Sequence, residues 1–581
     1  MRTSDLEPLE IDFKELFVPL TSLKAFFIIF IIGIIVFSNS LFNNFVGDDF
    51  SQIVRNQAIR SLDNIPLFFT GSTFYSGNAL EGVYYKPLLT TFFSLISTTF
   101  GYNFFTFHFF QIALHILSTF ILFLFLNHFF KKSLSLFLSI IFLVHPINSE
   151  AVFFISATQE PLFFLFGILA LWTLIKTKSK KYLFIVSTLI FLSLLSKETG
   201  ILFLILSVIY LLIFNRKHLL FFLGTSAPLI ASYLLLRMNA ISIHNKPAVP
   251  IAELNLIERF INMPEMVFFY LETFIFPLDL AHSYHWAHKE ISFDHFFVPL
   301  IIDLLVIAVM VYFAFIFYKK HFNYFKPYIF FMMWFLFGVL LHLQIIPLDS
   351  TVAERWFYFP IVGVLGMTGI LLENFKFNLR IRWNLVIAIV IILLFSTRTF
   401  FRSFDWRDQL TLSSHDVNVS KDSYILENQI GAILTEQGKF EEAKVHLERS
   451  ISLYPSYSNY SNLGVFYART GDYQKAREAY LEALKFRDYL VAYESLGLLS
   501  LANENHEENI DFLKSSLQKY PQSAKLWFYL AIQEYKLNRV DDAKNSISKA
   551  YQYSETPEID SAYQRIMKNL PLNVTLDLKE K

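Results

Sequence analysis

Between residues 22 and 401 the chain passes through repeated runs of Phe, Leu and Ile, and from 402 to 581 it changes to ordinary charged, helix-forming composition. A bilayer crossing needs about 20 apolar residues per helix. The pattern therefore predicts an all-α protein, a polytopic membrane helical bundle followed by a soluble helical domain. The expected divisions are a cytoplasmic leader at 1–21, a membrane domain at 22–401, a linker at 402–423, a repeat region at 424–557, and a C-terminal helix and tail at 558–581. The first apolar segment, about Leu23 to Phe42, is too long for a signal-peptide core and follows a polar leader, so it reads as an uncleaved anchor.

Positive charge orients the crossings, because cytoplasmic loops collect Lys and Arg. With the N-terminus inside, alternate loops carry Lys131-Lys132, Lys176 to Lys181, Arg216-Lys217, Lys319-Lys320 and Lys376 to Arg382. These clusters fall on one side in a topology of about eleven helices. The apolar runs Pro87 to Phe100 and Met266 to Pro277 are then interfacial or re-entrant, and the C-terminal domain lies outside.

That domain repeats. Gly431, Gly464, Gly497 and Ala531 recur every 33 to 34 residues; Ala443, Ala476, Asn509 and Ala543 keep phase with them, as do Ser450, Ala483, Ser516 and Ala550. Small residues recur where paired helices touch, and Pro455 and Pro521 close two of the units. The period and phase predict about four tetratricopeptide (TPR) repeats, an α-solenoid whose groove suits a peptide or partner protein. Such arrays rarely catalyse, so chemistry falls to the membrane domain.

Composition narrows the choices further. Hydrophobic residues make up 54% of the chain and aromatics 18%, too apolar for a soluble protein, and the bilayer is the first partner implied. With 49 basic and 49 acidic residues, no global field recruits nucleic acid. Cysteine is absent, which excludes disulfides, thiolate catalysis and cysteine metal sites. A Phe-rich, Ile-rich, cysteine-free chain fits a bacterial inner membrane better than an endoplasmic reticulum.

The outer loops gather the candidate chemistry. The first holds the acidic pair Asp48-Asp49 and the run Tyr84-Tyr85-Lys86-Pro87-Leu88, in which the proline can open a helix with Lys86 at its mouth. The next ones hold His145-Pro146 with Glu150, then Lys197-Glu198. The last two hold His282-Ser283-Tyr284 and Glu354-Arg355. Charge at a membrane surface is expensive unless it has a task. Carboxylates can take a hydroxyl proton or hold sugar hydroxyls, cations can neutralise a leaving phosphate, and aromatics can stack on a sugar face. Together they suit a sugar-phosphate site.

The order of these motifs, ending in the repeat array, resembles the transmembrane and tetratricopeptide-repeat O-mannosyltransferases and their bacterial relatives. The resemblance implies a C-type glycosyltransferase fold that moves a sugar from a polyprenyl-phosphate donor to an extracytoplasmic acceptor, by expectation a protein hydroxyl. It implies catalytic roles for Asp48, Asp49 and Glu150, one aspartate being the general base. Lys86, Lys197 and Arg355 become candidates for the lipid phosphate, with Tyr85, His145, Glu198, His282, Tyr284 and Glu354 in the substrate-binding set. Lys86 stands where many relatives have arginine, which keeps the charge but loses the bidentate fork. No metal-specific spacing is present; a divalent metal held by carboxylate oxygens is possible, and no obligatory cofactor is expected. The array is expected to bind the acceptor or a partner.

Two other classes remain open at this level. A membrane-anchored scaffold would use the repeats alone, with decorative loop acids. A transporter or polysaccharide ligase would place its charges within the spans rather than in the outer loops.

Overall fold

A computed structural model describes residues 20–572, except 77–78, 82–83, 177–178, 242–248, 378, 380 and 503–504. The expected leader at 1–21 and the tail beyond 572 lie almost wholly outside the described residues. Apart from one short hairpin, Phe74–Ser76 paired antiparallel with Ala79–Glu81, the described fold is helical.

Each of the eleven apolar runs coincides with a helix, from Ser22–Phe37 to Arg382–Asp405. By length and composition six of these can cross a membrane, seven if one bent pair is a single span. Tyr182–Ser196, Glu198–Phe214 and Pro360–Asn374 are shorter, so the expected count of eleven exceeds what helix length alone supports. Fourteen residues rise only about 21 Å against a hydrocarbon core of about 30 Å.

Burial separates the bundle's interior from its lipid face. The segment Ile155–Lys176 is 72% buried within the protein, whereas the more apolar Arg382–Asp405 is 11% buried. An apolar helix that the protein leaves uncovered must be covered by lipid, so this is a multi-pass membrane protein. Close helix contact inside uses glycine: a Cβ on Gly363 would stand 2.5 Å from the Phe335 backbone nitrogen, so Pro360–Asn374 lies directly on Phe322–Leu340.

The bent pair shows how the bundle tolerates a break. Lys132–Val144 and Pro146–Phe153 meet at 51° across His145-Pro146. Proline cannot continue the helical ladder, and the carbonyls it frees need donors. Asn148 Nδ2 donates to the Phe142 carbonyl at 2.8 Å, Thr399 Oγ1 to that of Val144 at 2.7 Å, and His115 Nε2 lies 2.9 Å from that of Leu143. Three side chains from three segments thus seal the break.

The charges sort to two ends. Tyr182–Ser196 starts beside Lys181 and finishes beside Lys197, carrying a basic loop at one end and an expected site residue at the other. At the basic end the Lys131 backbone nitrogen donates to Glu373 at 3.1 Å, and Lys180 lies over the Phe221 ring at 6.0 Å.

The repeat array begins at Tyr424–Glu436 and runs as helix pairs to Val540–Tyr553, followed by Pro557–Met567. The periodic glycines have a packing cause. A Cβ on Gly431 would stand 2.7 Å from Leu447, and one on Gly464 2.5 Å from Tyr480, each contact joining the two helices of one repeat. Residues 402–423, expected as a linker, are largely helical: Arg382–Asp405 runs into them and Gln409–Val419 follows.

Candidate active site

A cavity of about 550 Å³ opens at the end away from the basic loops, and its wall is of two kinds. Ile201, Leu202, Ile205, Phe337, Leu340 and Ile345 make an apolar shaft; Tyr84, Lys86, Glu160, Lys197, Asp349 and Arg355 make a charged head. Glu198, also expected, lies in the lining and pairs with Arg237 at 2.7 Å.

The three expected cations meet here, each held differently. Arg355 lies in the helical turn Glu354–Tyr358, and its guanidinium and its backbone N–H both engage Glu150, the latter at 2.8 Å. Asp349 stands 4.0 Å from its other side. Lys197 pairs with Glu160 at 2.5 Å and lies over the Phe163 ring. Lys86 precedes Pro87, which opens the helix Pro87–Phe100 as expected. Among the described residues Lys86 has no ion-pair partner, only the Tyr84 ring at 4.7 Å. Burial and then the neighbouring Lys197 push its ammonium down to about 8.

The acidic pair divides. Gly47, in the left-handed region at φ +51°, turns the chain, and its N–H donates to Gln409 Oε1 at 2.5 Å. Past this turn Asp48 is exposed and Asp49 fully buried. Asp49 accepts from Val46 N at 3.0 Å, Ser156 N at 2.7 Å and Ser156 Oγ at 2.6 Å. Desolvation still outweighs these bonds and raises its carboxyl to about 7. Asp48 opens to solvent, yet the surrounding protein strips hydration from its charge. That loss and then Asp349 raise its carboxyl, while Arg355, Lys86 and His282 pull it back. These neighbours place Asp48 beside the charged head.

The other expected residues lie behind the cavity. Tyr85 is buried and donates to the Phe69 carbonyl at 3.0 Å, leaving Tyr84 to line the wall. His145 lies at the helix break, with Nε2 2.9 Å from the Phe274 carbonyl. Glu354 accepts from Ala281 N at 2.7 Å and from Tyr284 Oη at 3.2 Å, and burial pushes its carboxyl well above the usual range. These residues shape the site without entering it.

His282 reaches Asp416 through both its backbone N–H, at 2.7 Å, and its Nδ1, at 2.9 Å. Asp416 also receives the buried Arg402 at 2.8 and 3.1 Å. Burial opposes its charge, but Arg402 and then His282 hold Asp416 well below the usual carboxylate range. The network extends outward: His285 Nδ1 lies 3.1 Å from Ser423 Oγ, and Gln409 Nε2 donates to Gln429 at 2.9 Å. Gln429 belongs to the first repeat helix, so the loop of Asp48 is wired to the array.

Glu160, Asp349 and Tyr84 were not singled out as site residues by sequence reasoning. Glu160 hides within an apolar run, where Gln159-Glu160-Pro161 marks the true helix start at Gln159. Asp349 precedes Arg355 by six residues in the same loop, and only the fold of that loop brings the two side chains to 4.0 Å.

Fold and site define a multi-pass helical membrane protein with a charged, apolar-lined cavity beneath a tetratricopeptide array. Residues 85–239 match the family model described as dolichyl-phosphate-mannose-protein mannosyltransferase, and residues 422–488 match that of the tetratricopeptide repeat. A protein O-mannosyl-transferase of Caenorhabditis elegans is 25% identical over 466 residues, covering 75% of this chain and 63% of that protein. The human protein O-mannosyl-transferase TMTC3 is 25% identical over 257 residues, 40% of this chain and 27% of that one. A Drosophila melanogaster counterpart, Tmtc3, is 26% identical over 141 residues, 24% and 15%. The chain spans less than two thirds of the length of each of these relatives. It is a membrane protein with tetratricopeptide repeats that is similar to the protein O-mannosyl-transferases.

Proposed function

We propose that the chain is a membrane glycosyltransferase that moves a sugar from a polyprenyl-phosphate donor to a hydroxyl of an extracytoplasmic protein. The observation that carries this is the cavity's polarity: three cations converge at the head of an apolar shaft, and Lys86 among them has no carboxylate partner among the described residues. A lipid phosphate supplies both the anion and the apolar tail. The names of the relatives make mannose the first sugar to test.

Asp48, exposed beside that head, takes the proton from the acceptor hydroxyl. The hydroxyl oxygen bonds to the anomeric carbon as the bond from that carbon to the phosphate oxygen breaks. The lipid phosphate leaves with the electron pair, and Lys86, Lys197 and Arg355 neutralise it. Asp49 positions the turn through Val46 and Ser156. Glu150 positions Arg355 rather than touching substrate. With the basic loops inside, the positive-inside rule puts the cavity and the array on the extracytoplasmic face.

The test incubates the purified full-length chain with mannosyl-phosphoryl polyprenol and a Ser/Thr-rich peptide and follows both consumption of donor and glycosylation of peptide. Both are expected. A folded chain that consumes neither this donor nor other polyprenyl-phosphate hexoses overturns the enzyme reading in favour of a scaffold.

A further inference from the structure

A long irregular segment, residues 276–292, leaves the helix Leu256–Ile275 and leads into the turn Phe293–Phe297. Near its start it carries His282 and Tyr284, bonded to Asp416 and Glu354. Its far end holds a different cluster. Glu265 Oε2 lies 3.0 Å from His288 Nε2, and Glu265 Oε1 lies 3.0 Å from His295 Nδ1. The two imidazoles stack with centroids 4.1 Å apart. One carboxylate thus faces two ring nitrogens, all within 4.8 Å of one another.

These side chains are held in place rather than brought together by chance of a mobile surface. Buried Asn262, one turn before Glu265 on the same helix, donates from Nδ2 to the His288 carbonyl at 2.8 Å and accepts from the His288 N–H at 2.9 Å. Ser292 Oγ accepts from the His295 N–H at 3.1 Å. Glu265 Oε2 and His288 Nε2 are both shielded from water and face each other without the alignment of a hydrogen bond. His295, half exposed, leaves a way in from solvent.

We propose that Glu265, His288 and His295 form a binding site for one divalent transition-metal cation of the zinc class, separate from the catalytic cavity. Two imidazoles and a carboxylate are a donor set suited to zinc and its neighbours rather than to magnesium or calcium. Ligand atoms about 2.1 Å from a tetrahedral zinc stand about 3.4 Å apart, close to the spacing already present, and the exposed side leaves a fourth position for water. The cation ties the far end of the segment to the helix Leu256–Ile275, as Glu354 and Asp416 tie its near end. This holds whether or not the proposed glycosyl transfer is correct, because no ligand belongs to the cavity.

The experiment strips the purified full-length chain with chelator and titrates zinc chloride, with stoichiometry read by mass spectrometry of the metal and affinity by calorimetry. About one zinc per chain is expected for the native protein and for Asp48→Asn. Glu265→Gln and His295→Gln are each expected to weaken binding at least tenfold; the exposure of His295 keeps the second variant folded. Binding well below one zinc per chain overturns the proposal, and so does stoichiometric binding unchanged in both variants.

Discussion

The two ends of the membrane bundle use their cations oppositely. At one end Lys131 and Lys180 are exposed, with their charges spread in loops. At the other, Arg355 is anchored by the fully buried Glu150 and Lys197 by Glu160, and Lys86 is left open to the cavity. Solvated loop charge orients a membrane protein; buried paired charge must be held in one geometry, and the desolvation it suffers is tolerated where a charged ligand will be bound. The contrast separates topology from chemistry within a single charge type.

Substitutions on either side can break the contrast, and the largest effect is expected at Arg355. Arg355→Ala strands the buried Glu150 charge and is expected to lower stability by about 3–5 kcal/mol, read from chemical unfolding in detergent. A loss under about 1 kcal/mol would mean that the pair is not held as described. Asp49→Asn comes next, at about 1–3 kcal/mol, because an amide cannot accept from both Val46 and Ser156 without turning a donor toward one of them.

Asp49 also gives a pH signature. Its carboxyl titrates at about 7 when folded and near 3.8 when unfolded. Between those values the folded chain keeps a proton that the unfolded chain has lost, so stability is expected to fall as pH rises through that window and to level off above it. Asp49→Asn should flatten that slope, and an unchanged slope would assign it to another group. Smallest of all, Lys131→Ala at the basic end is expected to stay within about 0.5 kcal/mol of the native protein. A larger loss there would erase the difference between the two ends.

Much of this was legible in the chain because periodicity and charge are local signals. The apolar runs became helices and the small residues of the array sit at helix contacts, since both follow from spacing alone. Asp48, Lys86, Lys197 and Arg355 did converge, because loops on one side of a bundle share little room. What stayed hidden were pairings between distant segments: Glu160 with Lys197, and Asp416 with His282. Tyr85 and Tyr84 could not be told apart, as one residue of register decides which faces the cavity. Metal ligands were equally invisible, since Glu265 lies on a helix far in sequence from His288 and His295.

The most direct measurement is sugar transfer by Asp48→Asn compared with the native chain across pH. As the general base, Asp48 must be ionised, and its raised carboxyl shifts the acid limb of the native rate upward in pH. The variant is expected to lose about 10²–10⁴-fold in rate while still binding the lipid-phosphate donor. Transfer within a few-fold of native, with the acid limb intact, would contradict the assignment of Asp48.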